Sequence, residues 1–474
     1  VLGLVLTVLV SCHAPGSSET WNQFRGPNAR GVPTDDTLKL PGDLDLELAT
    51  WRTAIPSGHS SPVLDELRVY LTAVNGDKLE TLAISRKKGN VIWRKTAKKN
   101  GDEEIHQIGS RAQSSVATDG QHVVSFFGSA GLACYDREGL LLWTKSMGPF
   151  KNSFGAASSP IIADGRVLLQ QDHDEGSFVA AYDVHTGDEV WKTDRAEFPR
   201  GFATPIVWND QLVCVGTLRV VGYSLADGNE TWSVSGLGRI ANVTPTIADD
   251  GNLIATVWAP GGDSTGRIDA PPFDEVIREN DKNENGSLEK SETPEGALRS
   301  RFGQIDRDKD AVITRAEYES MRDIFEKSQN KIVSIRPGGE GDITETHVAW
   351  TQRKFLPYVP SPVAYKGHVY VVKNQGILSS LDGKTGEVVK SGRLQGLGNY
   401  YASPVIADGK LYAVDQKGVL SVVQAEPEWT LISSVKFGEP VYATPAISDG
   451  AIYVRTSKNL YRFDKVDMKD LTID

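Results

Sequence analysis

Seven times along the chain a Ser or Thr stands before a Pro and opens an apolar run: Ser61-Pro62, Ser159-Pro160, Thr204-Pro205, Thr244-Pro245, Ser361-Pro362, Ser403-Pro404 and Thr444-Pro445. Ser114-Ser115 reads as an eighth slot without the proline. Counted at the proline position, the steps are 53, 45, 45, 40, 117, 42 and 41 residues. A period near 40 that persists over most of a chain marks a repeat array, in which each unit buries its apolar face only against its neighbours.

The repeat has a second half. Gly89-Asn90-Val91-Ile92-Trp93 recurs as Gly139 to Trp143, Gly187 to Trp191 and Gly228 to Trp232, each with Trp four residues after Gly. Upstream lie short apolar runs such as Arg166 to Gln170 and Phe178 to Asp183. Each unit therefore reads as four short strands joined by tight turns, which is one propeller blade. Eight slots predict an all-β, eight-bladed propeller. The last unit runs out near Phe463 without its Gly-x-x-x-Trp strand, whereas Glu47 to Thr53, containing Trp51, resembles Asn90 to Lys95. The N-terminal segment is expected to supply the missing outer strand and so remove an open edge. An irregular leader around Trp51 is the alternative.

Composition narrows the setting. The net charge of −11 argues against nucleic acid and against anionic membrane surfaces as partners. Val1 to Val10 is an apolar targeting segment too short to span a membrane comfortably, and Leu9-Val10-Ser11-Cys12 looks like a bacterial lipobox. Cys12 is the expected lipidation site, with residues 13–44 as tether and leader; an ordinary signal peptide with an incidental Cys is the alternative. Cys134 and Cys214 fall in apolar strand runs of non-adjacent blades and read as buried thiols rather than a disulfide.

The 117-residue step marks an insertion. Blade five begins at Thr244-Pro245, carries its second strand through Leu253 to Trp258, and resumes near Lys331 to Ile335, with Val348-Ala349-Trp350 in its last strand. The propeller is thus expected over 45–260 and 331–465, the insertion over 261–330, and a tail over 466–474. Residues 269–323 hold 15 Asp/Glu against 9 Lys/Arg. Within them, Asp281, Asn283 and Asn285 stand at positions 1, 3 and 5 of an EF-hand loop, Gly286 at 6, Ser287 offers its carbonyl at 7, and Glu292 is the bidentate carboxylate at 12. Asp306, Asp308, Asp310, the Val312 carbonyl and Glu317 repeat the pattern 25 residues on, with Ala311 in place of the glycine. Position 6 favours a left-handed backbone, so the second loop is expected to bind Ca²⁺ more weakly. Phe273, Val276 and Ile277 share a face before the first loop, as do Leu298, Phe302 and Ile305 before the second. Pro294 suits the first turn of the helix between them, and Leu288 and Ile313 are placed to pair across the loops. A solvated acidic insertion that binds nothing is the alternative.

The Gly-x-x-x-Trp repeats, the Ser/Thr-Pro openings and Trp21-Asn-Gln-Phe-Arg-Gly-Pro27 together resemble the pyrroloquinoline-quinone-like (PQQ-like) eight-bladed propeller family over residues 21–465. That resemblance implies two kinds of function: quinoprotein alcohol or sugar dehydrogenases, and a non-enzymatic lipoprotein of outer-membrane β-barrel assembly. A dehydrogenase of this type would sandwich its quinone against a Trp, commonly with a vicinal Cys-Cys disulfide, and hold Ca²⁺ with Glu and Asn beside an Asp base. The chain has no adjacent cysteines, and no such set can be assigned. The repeated tryptophans read as blade-docking residues, and no nucleophile–base pair or Gly-rich phosphate loop appears. No residue is therefore assigned as catalytic or as quinone-binding. Residues just before each inner strand should ring one channel mouth: His59, Arg111, Phe154, Phe202, Arg239 or Asn242, Tyr358, Tyr400 or Tyr401, and Tyr442. The expectation is a monomeric, membrane-tethered scaffold facing the periplasm or exterior, with structural Ca²⁺ and an envelope protein or peptide at the mouth. A PQQ-dependent dehydrogenase is the second reading, and a glycan-binding propeller the third.

Overall fold

The computed structural model describes residues 20–98, 103, 105–152, 154–262 and 266–465. Cys12 and the tail from 466 lie outside the described residues. Among the described residues eight sheets form the eight-bladed propeller, seven of them four-stranded and antiparallel, and a two-stranded ribbon sits apart. In seven blades the strands follow chain order from the channel outward. In the last, Trp51–Ala54 pairs with Asn459–Asp464 as the outermost strand, with Trp51 opposite Arg462, so the two chain ends close one blade.

The Ser/Thr ladder is a hydrogen-bonded ring. The Ser61 amide donates to the Ser115 hydroxyl at 2.9 Å, and the relay continues from Ser115 to Ser159, Thr204, Thr244, Ser361, Ser403 and Thr444 at 2.9–3.0 Å. The Thr444 amide donates back to the Ser61 hydroxyl at 3.0 Å, closing the circle across 383 residues of sequence. All eight residues are buried. A buried amide without a partner is costly, so each blade needs the hydroxyl of the next. Proline in the following position opens the inner strand, where its fixed φ fits and its missing amide costs no ladder bond. The slot in the second blade differs from expectation. Ser115 is the ring member, which puts Val116 where the others have proline, whereas the Ser114 hydroxyl donates to the Ala156 and Ser158 carbonyls.

Blade docking explains the other half of the repeat. The indole N–H of Trp51, Trp93, Trp143, Trp191 and Trp350 each donates to a turn carbonyl of the next blade, at 2.8–3.0 Å. Each indole lies on that turn's glycine: Trp51 on Gly89, Trp93 on Gly139, Trp143 on Gly187, Trp191 on Gly228 and Trp350 on Gly386. A Cβ at Gly187 would stand 2.6 Å from the Trp143 ring, and its φ of +75° already favours glycine. Trp232 breaks the series. Blade five replaces the glycine turn by an excursion whose strand Gly341–Asp342 pairs in parallel with Trp232 and Ser233, giving blade four a fifth strand.

The leader is part of the propeller. Its carbonyls at Trp21, Asn22 and Gly31 accept from Leu64, Thr118 and Ile406, Asn28 exchanges two bonds with Val207, and Arg25 donates to the Pro362 carbonyl. Trp21 and Arg25 are fully buried. The segment 21–31 therefore ties inner strands of blades around the circle. Cys134 and Cys214 are buried free thiols, each pushed up to about 12 by burial.

Ser361→Ala should leave the buried Thr244 amide without an acceptor and lower stability by about 1–3 kcal/mol in urea denaturation. Ser361→Thr, which keeps the hydroxyl, should lose much less.

Candidate functional site

The insertion leaves blade five after the strand Leu253–Val257 and returns at Lys331–Ile335. It comprises the helix Phe273–Asn280, a loop, a short helical segment over Arg299–Ile305, a second loop, and the helix Arg315–Lys327. Leu288 lies opposite Ile313 in the ribbon between the loops. Phe273, Val276, Leu288, Leu298, Phe302, Ile305, Ile313, Tyr318 and Met321 form its own core. The middle helix starts later than Pro294 suggests, because Gly296 at φ +97° interrupts the helical backbone before it begins.

In the first loop Asp281 accepts from the amides of Asn285 and Gly286, Asn285 from Ser287, and Glu292 from those of Lys282 and Glu289. Glu289 holds the side-chain amides of Asn283 and Asn285 at 3.1 and 2.8 Å. The second loop repeats the scheme. Asp308 accepts from Asp310 and Asp310 from Val312, while Glu317 accepts from Arg307 and, through its other oxygen, from Thr314. Ala311 takes the left-handed backbone at φ +75°, beside +81° for Gly286. Among the described residues, Asp306, Asp308 and Glu317 are the one group of three acidic, His or Cys side chains with ligand atoms all within 4.8 Å. Asp306 is 4% exposed, one of its carboxylate oxygens has no partner among the described residues, and burial raises its carboxyl above the usual range. A buried, unpartnered carboxylate oxygen beside two more carboxylates is the donor chemistry of a hard cation site.

This second loop is fastened to the propeller. Arg307 donates to the carbonyls of Asp174 and Ala196 at 2.9 and 3.1 Å, Lys309 pairs with Asp174 at 3.1 Å, and Lys151 reaches the Asp308 carbonyl at 2.5 Å. Asp174 is in turn held by Arg200 through two bonds of 2.8 Å. Loop positions 2, 3 and 4 thus grip blade three and the connections on either side of it. No residue pattern in the sequence marks this seat.

Beside the insertion, the channel opens into a cavity of about 430 Å³. Of the residues expected there, His59, Phe154, Phe202, Arg239, Asn242, Tyr358, Tyr401 and Tyr442 line it. Tyr400 does not: its side chain is buried between blades and donates to the Gly396 carbonyl. Arg111 is also outside the lining. Ring hydroxyls including Ser61, Thr244 and Ser403 contribute to the wall, as does Phe24 of the leader. Arg200, Arg301 and Gln304 were not expected, and the last two come from the insertion. His59 stacks on Tyr442 at 3.9 Å, and burial, with Arg455 behind it, lowers the imidazole to about 4. No Asp or Glu lines the cavity among the described residues.

Fold and repeats together define a PQQ-like-repeat propeller with a two-loop helical insertion. A family profile described as outer membrane protein assembly factor BamB matches residues 80–264 and 341–470, and the chain belongs to that family. The unmatched stretch between those ranges contains the helical insertion. No curated protein sequence matches the chain. Among solved structures, BamB from Moraxella catarrhalis is similar at 13% identity and TM-score 0.54, over 88% of this chain and 98% of that one. A europium-containing methanol dehydrogenase is similar at 12% identity and TM-score 0.57, over 95% and 99%. The computationally designed Ika8 protein is similar at 10% identity and TM-score 0.54, over 87% and 98%. At such identities the shared property is the fold, and function has to be argued from sites.

His173, between Asp172 and Asp174, stacks on Phe150 at 4.1 Å and has neither ring nitrogen bonded among the described residues. Burial lowers it to about 3. Folding excludes its proton, so the contribution to stability is full above the ordinary imidazole value and is lost as pH falls toward about 3. His173→Phe should flatten the decline of the urea midpoint between pH 6.5 and 4. An unchanged acid limb would show that His173 is not excluded from protonation.

Proposed function

We propose that this chain is a calcium-binding interaction scaffold of the cell envelope, a propeller held to a membrane by lipid on Cys12. The observation that carries the calcium part is the second loop, where Asp306, Asp308 and Glu317 converge with one buried oxygen left over, on a segment fastened to blade three and its flanking connections. Ca²⁺ would be held there by Asp306, Asp308, Asp310, the Val312 carbonyl and Glu317, and in the first loop by Asp281, Asn283, Asn285, the Ser287 carbonyl and Glu292. Bound Ca²⁺ would supply charge balance and rigidity rather than chemistry. The affinity order then differs from the sequence expectation. Ala311 already holds the left-handed backbone, and the second loop offers four carboxylates where the first offers two at the matching positions. Ligand charge tunes such sites, so the second loop should fill first.

Family membership and the similarity to a solved BamB support the envelope and scaffold parts, as does the lipobox-like Cys12. No helix among the described residues is long and apolar enough to cross a membrane; the attachment proposed is the lipid on Cys12. The quinoprotein reading asks for Glu, Asn and Asp to converge in the channel. The cavity presents Asn242 but, among the described residues, no acidic partner for it. Those residues do not fit a calcium–quinone centre.

Isothermal titration of Ca²⁺ into chelator-treated protein should show two sites. Asp306→Asn should remove the tighter and Asp281→Asn the weaker. At 100 times the dissociation constant, each site adds about 2.7 kcal/mol to stability, so the melting temperature should rise with Ca²⁺ and rise less in either variant. Absence of any calcium-dependent heat would refute the metal assignment.

A further inference from the structure

We infer that the channel mouth is a composite site for a small organic anion, an acid group on an aromatic or apolar body, clamped between Arg239 of the propeller and Arg301 of the insertion. Size, charge and wall chemistry all bear on this. About 430 Å³ lies within the range of small-molecule sites and holds one or two fused rings with a substituent, not a polymer. The wall is largely aromatic and apolar: Phe24, Phe154, Phe202, Tyr358, Tyr401 and Tyr442. His59 and Tyr442 stack, and Tyr401 and Tyr442 stand 5.5 Å apart, so flat faces are already arranged on one side.

The charge is the decisive feature. In a chain of net charge −11, three guanidinium groups line the cavity and no carboxylate does, among the described residues. Arg200 is neutralised by its two bonds to Asp174. Arg239 is not. It is 6% exposed and donates to the Pro260 carbonyl and, at 3.2 Å, to the Gln304 side chain. Burial lowers it to about 10, and the neighbouring Arg301 acts in the same direction. Arg301 bonds only to the Ala297 carbonyl and the Ser300 hydroxyl among the described residues. Behind His59, fully buried Arg455 donates to Ser60, Thr72 and Pro56 and likewise faces no carboxylate among the described residues. Burying a cation with only neutral acceptors is unfavourable, and an anion between two guanidiniums offsets that cost with charge-assisted hydrogen bonds. Because His59 titrates near 4, the positive charge at neutral pH comes from arginine alone.

Neither Arg301 nor Gln304 is a candidate calcium ligand, so this inference stands apart from the calcium reading. The probes are 1-naphthoate and the neutral 1-naphthalenemethanol, titrated calorimetrically into the full chain. Naphthoate should bind at least about tenfold more tightly, the scale of one charge-assisted hydrogen bond, and should weaken as salt rises. Arg301→Gln alone should remove most of that preference. Arg239→Gln with Arg301→Gln should abolish it and leave binding of the alcohol unchanged. Equal affinity for the two probes, no naphthoate binding at about 10 mM, or a preference that survives in Arg301→Gln and in the double variant would each overturn the inference.

Discussion

The circle of eight backbone-to-hydroxyl bonds around the channel is the constraint on which the remaining architecture depends. Each blade satisfies one buried amide only by standing at the right distance from the next, and the eighth satisfies its own only by returning to the first. The circle therefore selects a closed assembly over an open stack. A closed count of eight sets the channel width, and so the size of the cavity above the hydroxyls. The circle also tolerates the insertion in blade five, because the Thr244 amide donates to Ser361 across 117 residues as well as the Ser403 amide does to Thr444 across 41.

Two outer contacts work with that inner circle. Five indoles each sit on the glycine of the following blade, and the segment 21–31 ties inner strands together from the leader. Where the glycine turn is missing, between blades four and five, the chain substitutes a fifth strand at Gly341–Asp342. That same sector carries the insertion. Its second loop reaches across to Asp174 and Ala196, and its middle segment leans over the mouth with Arg301 and Gln304. A cation held by Asp306, Asp308 and Glu317 would stiffen the loop that positions both contacts.

Patterns set by local chemistry were legible in the sequence. Period, Ser/Thr-Pro pairs and Gly-x-x-x-Trp units point to the propeller, and the spacing of oxygen donors points to the two loops. The Trp51 strand was readable because it copies the repeat. Features set by tertiary placement were not. Without its proline, the second-blade slot was read one residue early, at Ser114 rather than Ser115. Tyr400 and Tyr401 alternate along the chain, and only packing shows that Tyr400 turns inward. Arg200 becomes part of the mouth through Asp174, and Arg301 through the lean of the insertion; neither carries a motif. Ala311 at φ +75° shows how a loop can keep its conformation without glycine, a cost that a cation bound by the four carboxylates would offset.

The most direct measurement of the central claim is hydrogen–deuterium exchange of the full chain with Ca²⁺ and with chelator. If a cation in the second loop steadies the seat of the insertion, Ca²⁺ should slow exchange in 306–317 and also in the propeller segments around Asp174 and Ala196, leaving the far blades unchanged. Identical exchange in the two conditions, or protection confined to the loops themselves, would contradict the account.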